Sequence, residues 1–493
     1  MIGAHLPALQ VVVPLIAAPL CVLSRRPLAA WTVALIAAWL SLGIAIWLLT
    51  QVLDANAPIS YALGGWAAPW GIEYRVDAAN ALVLLIVTAV GAVVVPYALV
   101  STSHEIAPER HHLFYAALML CLAGLLGIAI TGDAFNAFVF LEISSLSSYV
   151  LISLGPSRAA LTAAFRYLIL GTIGATFILI GVGLLYMVTG TLNMADLTYR
   201  LAGRGENRTV IVAFAFLTVG ITLKLALFPL HLWLPNAYAR APSAVSAFLA
   251  ATATKVAVYL LLRFVFGIFI AAYALDELPL TAILMPLALI AVFTGSLVAI
   301  FQDDVRRMLA YSSVAQVGYI VLGIGFATHT GLTASLIHLF NHAAMKGALF
   351  LAMGNVFLRL GSVNLDALAG LGRTMPLTVA AFTLAGLSLI GVPATVGFVS
   401  KWYLVVAALE RGWWPVAALI VVSSLLAVVY IGRVIEVAYF RPPPERSAPV
   451  EAPLSMVVPT WILAGACVYF GLDTSLTIGV ASRAATVLLG LAP

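Results

Sequence analysis

The chain alternates between long apolar stretches and short polar connections along its whole length. A helix needs about 20 mostly apolar residues to cross ~30 Å of hydrocarbon, and the 493 residues contain fourteen such stretches. They run over 4–23, 28–53, 77–100, 112–131, 133–154, 161–189, 209–239, 242–271, 279–301, 305–327, 331–358, 376–410, 413–439 and 454–473, and a weakly amphipathic tail over 475–491 follows. The pattern predicts an all-α polytopic membrane protein with about fourteen transmembrane helices.

Two blocks of five spans have nearly equal length, which predicts an internal repeat. Spans four to eight cover 112–271 and spans nine to thirteen cover 279–439, leaving a three-helix N-terminal segment over 1–111 and a C-terminal helix with its tail over 440–493. Because five is an odd number, the second block enters the membrane from the opposite side, so the repeats are predicted to be inverted.

The fourth span of each block is unusually long and broken. The interruptions fall at Pro229 and Pro235 in the first block and at Pro393 and Gly397 in the second. Paired broken helices in inverted repeats commonly line a transport path. The alternative interpretation is that the two breaks are ordinary proline kinks, which membrane helices tolerate.

Composition narrows the class of protein. Hydrophobic residues make up 63% of the chain and charged residues 9%, against roughly 45–50% and 25% in ordinary globular proteins. This excludes a cytosolic enzyme, a nucleic-acid binder and a disordered scaffold. The chain has no nucleotide-binding glycine motif and no hydrophilic catalytic domain, and its three cysteines are far apart. We therefore expect no cofactor and no catalytic chemistry of its own, although membership of an oxidoreductase complex stays open.

Loop charges predict the orientation in a prokaryotic cell (inner) membrane. The first charged residue, Arg25, follows the first apolar segment, so this segment lacks the basic region that begins a signal peptide. We therefore interpret it as a retained transmembrane span. With the N-terminus outside, the cytoplasmic loops carry eleven arginines and the outer loops six. The positive-inside rule therefore favours both termini outside.

The lysines are confined to apolar segments, unlike the arginines. Only four of the 24 basic residues are lysines, namely Lys224, Lys255, Lys346 and Lys401. An ammonium group removed from water can release its proton, whereas a guanidinium group cannot. Glu142 is the one carboxylate near mid-depth of a span, where a charge costs about 2.5–3.5 kcal/mol. Asp77 and Asp133 lie at span ends, where we expect solvated roles.

The eleventh span carries His338, His342 and Lys346 at a spacing of i, i+4, i+8, which puts them on one helical face. Two histidines at this spacing could bind zinc, but no third ligand is evident, so no metal is expected. The groups could instead be structural ion pairs and hydrogen-bonded core histidines. One carboxylate, however, cannot neutralise four ammonium groups, which favours a proton relay. His231, beside Pro229, either extends that relay or bonds a freed backbone carbonyl.

Several motifs resemble a known superfamily. The stretch 138–149 around Glu142 resembles the glutamate span of the antiporter-like subunits shared by Mrp-type multisubunit sodium/proton antiporters and respiratory complex I. The stretches 223–235, 241–255, 304–313 and 338–346 resemble further signatures of that superfamily, and the chain as a whole most resembles the D subunits of Mrp antiporters. The resemblance implies that Glu142 and Lys224 form the coupled pair of a first half-channel. It further implies that Lys255 and the histidine stripe carry protons along the midplane, and that Lys401 leads to the opposite side.

Three functions remain open from the sequence. The first is a proton-translocating subunit of a multisubunit cation (sodium)/proton antiporter, and the second is a proton-pumping subunit of complex I or of a membrane-bound hydrogenase. The third is an independent transporter of an organic solute, for which four buried lysines have no obvious use. The first two imply other membrane subunits as partners, with the lipid bilayer as surroundings. Sodium prefers hard oxygen ligands, and the midplane offers only Glu142, so we expect sodium to bind elsewhere.

Overall fold

A computed structural model describes residues 2–202, 207–269, 273, 278, 280–443 and 450–491. The helices are α1 Leu6–Ser24, α2 Pro27–Ala55, α3 Ala78–Glu105, α4 His111–Ile130, α5 Ala134–Ser153, α6 Arg158–Thr189, α7 Met194–Leu201, α8 Arg208–Lys224, α9 Trp233–Arg240, α10 Ser243–Leu262, α11 Leu280–Ile300, α12 Val305–Gly325, α13 His329–Leu360, α14 Leu371–Thr374, α15 Pro376–Ile390, α16 Val396–Glu410, α17 Trp414–Phe440, α18 Leu454–Leu472 and α19 Ser475–Leu488. A small antiparallel hairpin, β1 Ile59–Ala62 and β2 Glu73–Val76, joins α2 to α3 and pairs Ile59 with Val76.

The predicted class, a polytopic helical membrane protein, is confirmed. Within the described residues, twelve helices are long and apolar enough to cross a membrane: α1 to α6, α10 to α13, α17 and α18. Each corresponds to one predicted span. The other two predicted spans are the broken ones, which the structure divides into α8 with α9 and α15 with α16. A sharp bend of 115° also separates the segment 365–374 from α15. The predicted junction of the repeats, 271–279, lies almost entirely outside the described residues.

Matching local features recur at a spacing of 171 residues. An aspartate caps the N-terminus of α5 and of α12, a glycine with positive φ ends α6 and α13, and one isolated antiparallel bridge follows in each half. The corresponding positions are Asp133 and Asp304, Gly190 and Gly361, and Asn193 and Asn364. This spacing supports the predicted internal repeat, because unrelated segments have no reason to share caps, helix lengths and bridges in one order.

The core of the protein is formed by α4, α10, α12 and α13, which are mostly buried, whereas α1, α2, α6, α17 and α18 lie at the periphery. The central helix α13 packs against α3, α10, α12, α15, α16, α18 and α19. Three regions differ from the prediction, one of them the hairpin of β1 and β2. The tail is a helix, α19, which packs on α13 and α3, and the connection after α6 contains the short helix α7.

Candidate functional site

The first broken span ends its initial helix at Lys224. The chain then leaves the helical path, with Ala226 in the left-handed region at φ 61°, and resumes as α9 at Trp233. Pro229 lies in this break, as predicted, whereas Pro235 lies in the first turn of α9 rather than in the interruption. Proline is tolerated there because the first N–H groups of a helix have no partner within it.

Trp233 and His231 both lie beside this break. The indole Nε1 of Trp233 donates to the carbonyl of Leu223 at 3.0 Å, which satisfies a carbonyl near the end of α8. His231 stacks on Phe228 with ring centroids 5.5 Å apart, and its Nδ1 has no hydrogen-bond partner among the described residues. His231 is thus adjacent to the break and has a free ring nitrogen.

Glu142 on α5 and Lys224 on α8 form an ion pair. The Lys224 Nζ lies 3.9 Å from Oε1 of Glu142 and donates to Oγ of Ser145 at 2.8 Å. The Lys224 side chain is 5% exposed and that of Glu142 is 27% exposed. A cavity of about 30 Å³ beside Ser144, Ser145, Ser148 and Lys224 has room for about one water molecule. The pair therefore joins a buried cation to a carboxylate near the lateral surface.

Glu142 belongs to the outward face of α5. Residues at helical spacing along this face are exposed apolar side chains, namely Phe135, Val139, Leu146 and Val150. Glu142 lies between Val139 and Leu146 on the same stripe. A carboxylate thus interrupts a surface that otherwise has the character of a helix facing lipid or a neighbouring protein.

Lys255 is fully buried in α10. Its Nζ contacts the carbonyl of Ala250 and lies 3.4 Å from Oγ1 of Thr254. Among the described residues, Lys224 is the only one of the four lysines with an ion pair. The remaining lysines are held by neutral hydrogen-bond acceptors alone.

The structure places His338, His342 and Lys346 along one buried face of α13. Nδ1 of His338 lies 2.8 Å from Oγ of Ser400, and Nε2 lies 3.0 Å from Oε1 of Gln316. The His342 ring is nearly parallel to that of His338, with centroids 6.1 Å apart, and neither of its nitrogens has a partner among the described residues.

Lys346 continues this face. It donates to the carbonyl of Leu309 at 2.7 Å and to Oγ of Ser312, both on α12. Its side chain is fully buried, so the stripe ends in an ammonium group that two neutral oxygens hold.

Lys401 lies in α16, after the second break. Its Nζ donates to the carbonyls of Leu389 and Ile390, at 3.1 and 2.7 Å, and lies 5.1 Å from the ring centroid of Tyr319. Those carbonyls end α15, where the helix dipole is negative and favours a cation. Lys401 therefore spans the break and ties α16 back to α15.

Pro393 and Gly397 shape this second break. Pro393 lies between the two helices, and the following Ala394 has φ 68°. A Cβ on Gly397 would lie 1.7 Å from the Ser388 carbonyl oxygen, so only glycine permits this approach of α16 to α15.

Neutral polar side chains bond individual members of this set, and the sequence did not single them out. They are Ser145, Ser312, Gln316 and Ser400. The run of serines over 144–148 was a visible signal, but which serine faces Lys224 depends on how α5 packs against α8. Within the part of the chain that the structure describes, no three His, Cys, Asp or Glu side chains are grouped to hold a metal ion. The arrangement is suited to moving protons between buried bases.

Comparisons with known proteins agree with the resemblance seen in the motifs. The family model described as "NADH:quinone oxidoreductase/Mrp antiporter, TM" matches residues 131–427. The N subunit of the NADH-quinone oxidoreductase of Desulforudis audaxviator is 43% identical over 484 residues, covering 95% of this chain and 96% of the relative. The D subunit of the Na(+)/H(+) antiporter of Bacillus subtilis is 30% identical over 482 residues, covering 98% and 96%.

Solved structures give the same result. A chain of the Mrp complex from Dietzia sp. superposes with a TM-score of 0.91 at 27% identity, covering 99% of this chain and 98% of the other. A chain of the membrane-bound sulfane sulfur reductase, an archaeal respiratory membrane complex, gives 0.90 at 31% identity with 98% of both chains covered. A chain of respiratory complex I from Thermus thermophilus gives 0.78 at 26% identity, covering 97% and 99%. The protein belongs to the NADH:quinone oxidoreductase/Mrp antiporter transmembrane family.

Proposed function

We propose that this chain is the proton-translocating subunit of a multisubunit monovalent cation (sodium)/proton antiporter. The observation that carries the proposal is the Glu142–Lys224 pair at 3.9 Å, followed by three buried lysines that have no carboxylate partner among the described residues. An unpaired buried ammonium group is costly, and removing it would stabilise a purely structural protein. The presence of three such ammonium groups is explained by a need for buried groups that take up and release protons.

The proposed path runs from Glu142 and Lys224 through Lys255 and the face formed by His338, His342 and Lys346 to Lys401. A positive charge on one of these groups disfavours a positive charge on the next, so arrival of a proton at one site promotes release from its neighbour. Hydroxyl and amide groups hydrogen-bonded to Lys224, His338 and Lys346 support this path. Pro229, His231, Pro235, Pro393 and Gly397 are proposed to support the path by shaping the two breaks.

The partly exposed position of Glu142 implies that partner proteins cover this part of the chain. Its side chain is 27% exposed on an apolar face of α5, and a charge in hydrocarbon costs about 2.5–3.5 kcal/mol. Another membrane protein of the complex that covers α5 with a polar or cationic group would remove that cost. The structural relatives are named as chains of multisubunit complexes, which supports the same idea. We assign sodium to a partner or to a site away from this path.

The proposal also includes the topology of the chain in the membrane. The repeats over 112–271 and 279–439 are inverted relative to each other, and both termini lie outside the cell membrane. The features that recur at a spacing of 171 residues support the repeat, and the excess of loop arginines on one side supports the orientation.

A second candidate is a proton-pumping subunit of a complex I-type NADH-quinone oxidoreductase. The 43% identity to a protein named as the N subunit of that enzyme favours it. Both candidates use the same buried groups and differ in the assembly. Purifying the tagged chain in mild detergent from its native membranes separates them. Copurifying small membrane subunits without flavin or iron–sulfur absorbance, together with sodium-dependent proton exchange in liposomes, would support the antiporter. Flavin and iron–sulfur subunits would support the second candidate and overturn the first.

A further inference from the structure

Tyr319 on α12 lies between two groups of the proposed proton path and has no role assigned to it in that path. Its side chain is 1% exposed, so the protein encloses it. The ring meets the imidazole of His338 on α13 in an edge-to-face arrangement, with ring centroids 5.7 Å apart. The Lys401 Nζ of α16 lies over the same ring, 5.1 Å from its centroid. A single aromatic side chain therefore contacts both the histidine face of α13 and the lysine that ends the path.

The hydroxyl group of Tyr319 is engaged by another helix. It lies 2.6 Å from Oγ of Ser423 on α17, and Ser423 is buried as well. This hydrogen bond fixes the far end of the side chain and so restricts how the ring can tilt. The contact that the structure shows with Lys401 is made by the ring and not by the hydroxyl.

The ammonium group of Lys401 has three N–H donors, and the end of α15 occupies two of them. It donates to the carbonyls of Leu389 and Ile390, at 3.1 and 2.7 Å. The side chain is buried, and within the described part of the chain no carboxylate forms an ion pair with it. Gly391 closes a further side, since a Cβ there would lie 3.6 Å from Nζ. The ring of Tyr319 is thus a third group beside Lys401 that can favour a positive charge.

The physical basis is the attraction between a cation and the face of an aromatic ring. The face of the ring carries the negative part of its quadrupole, and a desolvated ammonium group near it is stabilised more than one in water. The effect corresponds to a roughly tenfold change in the ratio of protonated to neutral lysine. An aliphatic side chain of similar size fills the same space but gives no such preference for the protonated form.

The neighbouring titratable groups do not supply this preference. His338 disfavours a positive charge on Lys401 whenever it is itself protonated. Helix α15 carries no titratable side chain. On α17 and α18 the groups have other neighbours: Tyr430 faces Ser312, Cys467 faces Ser388, and Arg433 and Glu436 pair with Asp303 and Arg441.

We infer that Tyr319 is a positioning residue of the last transfer, whose ring face stabilises protonated Lys401 so that this lysine can accept the proton that leaves the histidine face. The inference rests on the proposed function, because it concerns one step of the proposed path. The bond from the hydroxyl group to Ser423 orients the ring and carries no proton. Without the ring face, the buried ammonium group would lose its proton at lower pH, so exchange would fail at lower pH on the alkaline side.

The test is a series of rings at position 319 that differ in electron density and hardly in shape. Tyr319→Phe keeps the ring and should exchange like the wild type. Mono-, di- and trifluorophenylalanine are then inserted at this position by stop-codon suppression, because each fluorine withdraws electrons from the ring face. Cation/proton exchange by the intact complex is measured against pH in everted vesicles. The alkaline pH of half-maximal exchange should fall stepwise along the series, by roughly one unit in total.

Two leucine variants separate this role from simple packing. Tyr319→Leu removes the ring and should shift the alkaline limit at least as far as trifluorophenylalanine; if it does not assemble, the fluorinated series decides alone. Tyr115→Leu is the matched control, because Tyr115 on α4 is 2% exposed and has no cation over its ring among the described residues. Its alkaline limit should equal that of the wild type at equal abundance of assembled complex.

The possible failures are distinguishable. A fluorinated series without any shift, in a complex that exchanges, overturns the inference alone. Loss of exchange in Tyr319→Phe also overturns it, because the hydroxyl group would then be the essential part. An equal shift in Tyr115→Leu would assign the effect to packing. A wild-type complex that shows no cation/proton exchange would overturn the proposed function together with this inference.

Discussion

The Glu142–Lys224 pair gives a quantitative prediction for the first step of the proposed path. The two charged atoms are 3.9 Å apart. At that separation, the interaction of two unit charges is about 4 kcal/mol at an effective dielectric constant of 20 and about 1 kcal/mol in bulk water. Because Glu142 is partly exposed, the coupling should lie between these limits, which corresponds to ~5-fold to ~1,000-fold in an equilibrium or rate. Glu142→Gln should therefore reduce exchange by at least about fivefold.

The double-variant cycle tests whether the two residues act as a unit. Lys224→Ala should be as inactive as Glu142→Gln, and the double variant no worse than either, because residues that share one step are non-additive. The assay is cation/proton exchange in everted vesicles at equal abundance of assembled complex. Glu436→Gln is the matched control, since the Glu436 carboxylate is exposed and pairs with Arg441 at 3.1 Å. Losses that multiply in the double variant would refute the assignment of a shared step.

Further predictions concern the second break and the need for partners. Lys401→Arg keeps the charge but cannot release the proton, so exchange should stop in normally assembled complex; near-normal exchange would assign Lys401 to structure. Gly397→Ala forces its Cβ into the Ser388 carbonyl and should cost about 1–3 kcal/mol or more, seen as reduced assembled complex on native gels. Gly432→Ala, which has no atom within 4 Å of the added carbon, should assemble normally. The purified chain alone should show no sodium-driven proton flux in liposomes, and robust flux would contradict its proposed role within a larger complex.

The positions of the spans could be predicted from the sequence because the signal is local. A stretch of about 20 apolar residues is sufficient evidence for a crossing helix, and each predicted stretch corresponds to one helix or one broken pair. The exact positions of the two breaks within their spans were harder to predict. Proline identified the correct spans, but Pro235 lies inside α9, because a proline in the first turn of a helix disrupts nothing.

Helix α19 and the hairpin escaped prediction for different reasons. Helix α19 is short and only weakly amphipathic, and it is held by packing on α13 and by the bond from Arg483 to the carbonyl of Leu53 at 2.9 Å. The hairpin of β1 and β2 has strands of four residues each, too short to give an alternating pattern. The partners of α19 thus lie far away in the chain, whereas the two strands pair with each other across a short connection.

The charged groups of the site were visible in the sequence, whereas their neutral partners were not. A lysine in an apolar segment is conspicuous because it is costly. Serine and glutamine occur in many membrane helices, and only the packing of α12, α13 and α16 identifies Gln316 and Ser400 as the partners of His338. Asp77, for which the sequence predicted a solvated role, is instead buried and pairs with Arg263 at 2.5 Å, which could not be predicted because the two residues lie 186 positions apart in the chain.

The two broken spans carry their lysines on opposite sides of the break. Lys224 is the last residue of the first half-helix, whereas Lys401 belongs to the second half-helix and reaches back to the final carbonyls of the first. What the two halves share is thus a lysine adjoining the break, not the position in the span that supplies it. Pairing the halves residue by residue would miss this equivalence, so a lysine absent from one aligned position can still be present in space.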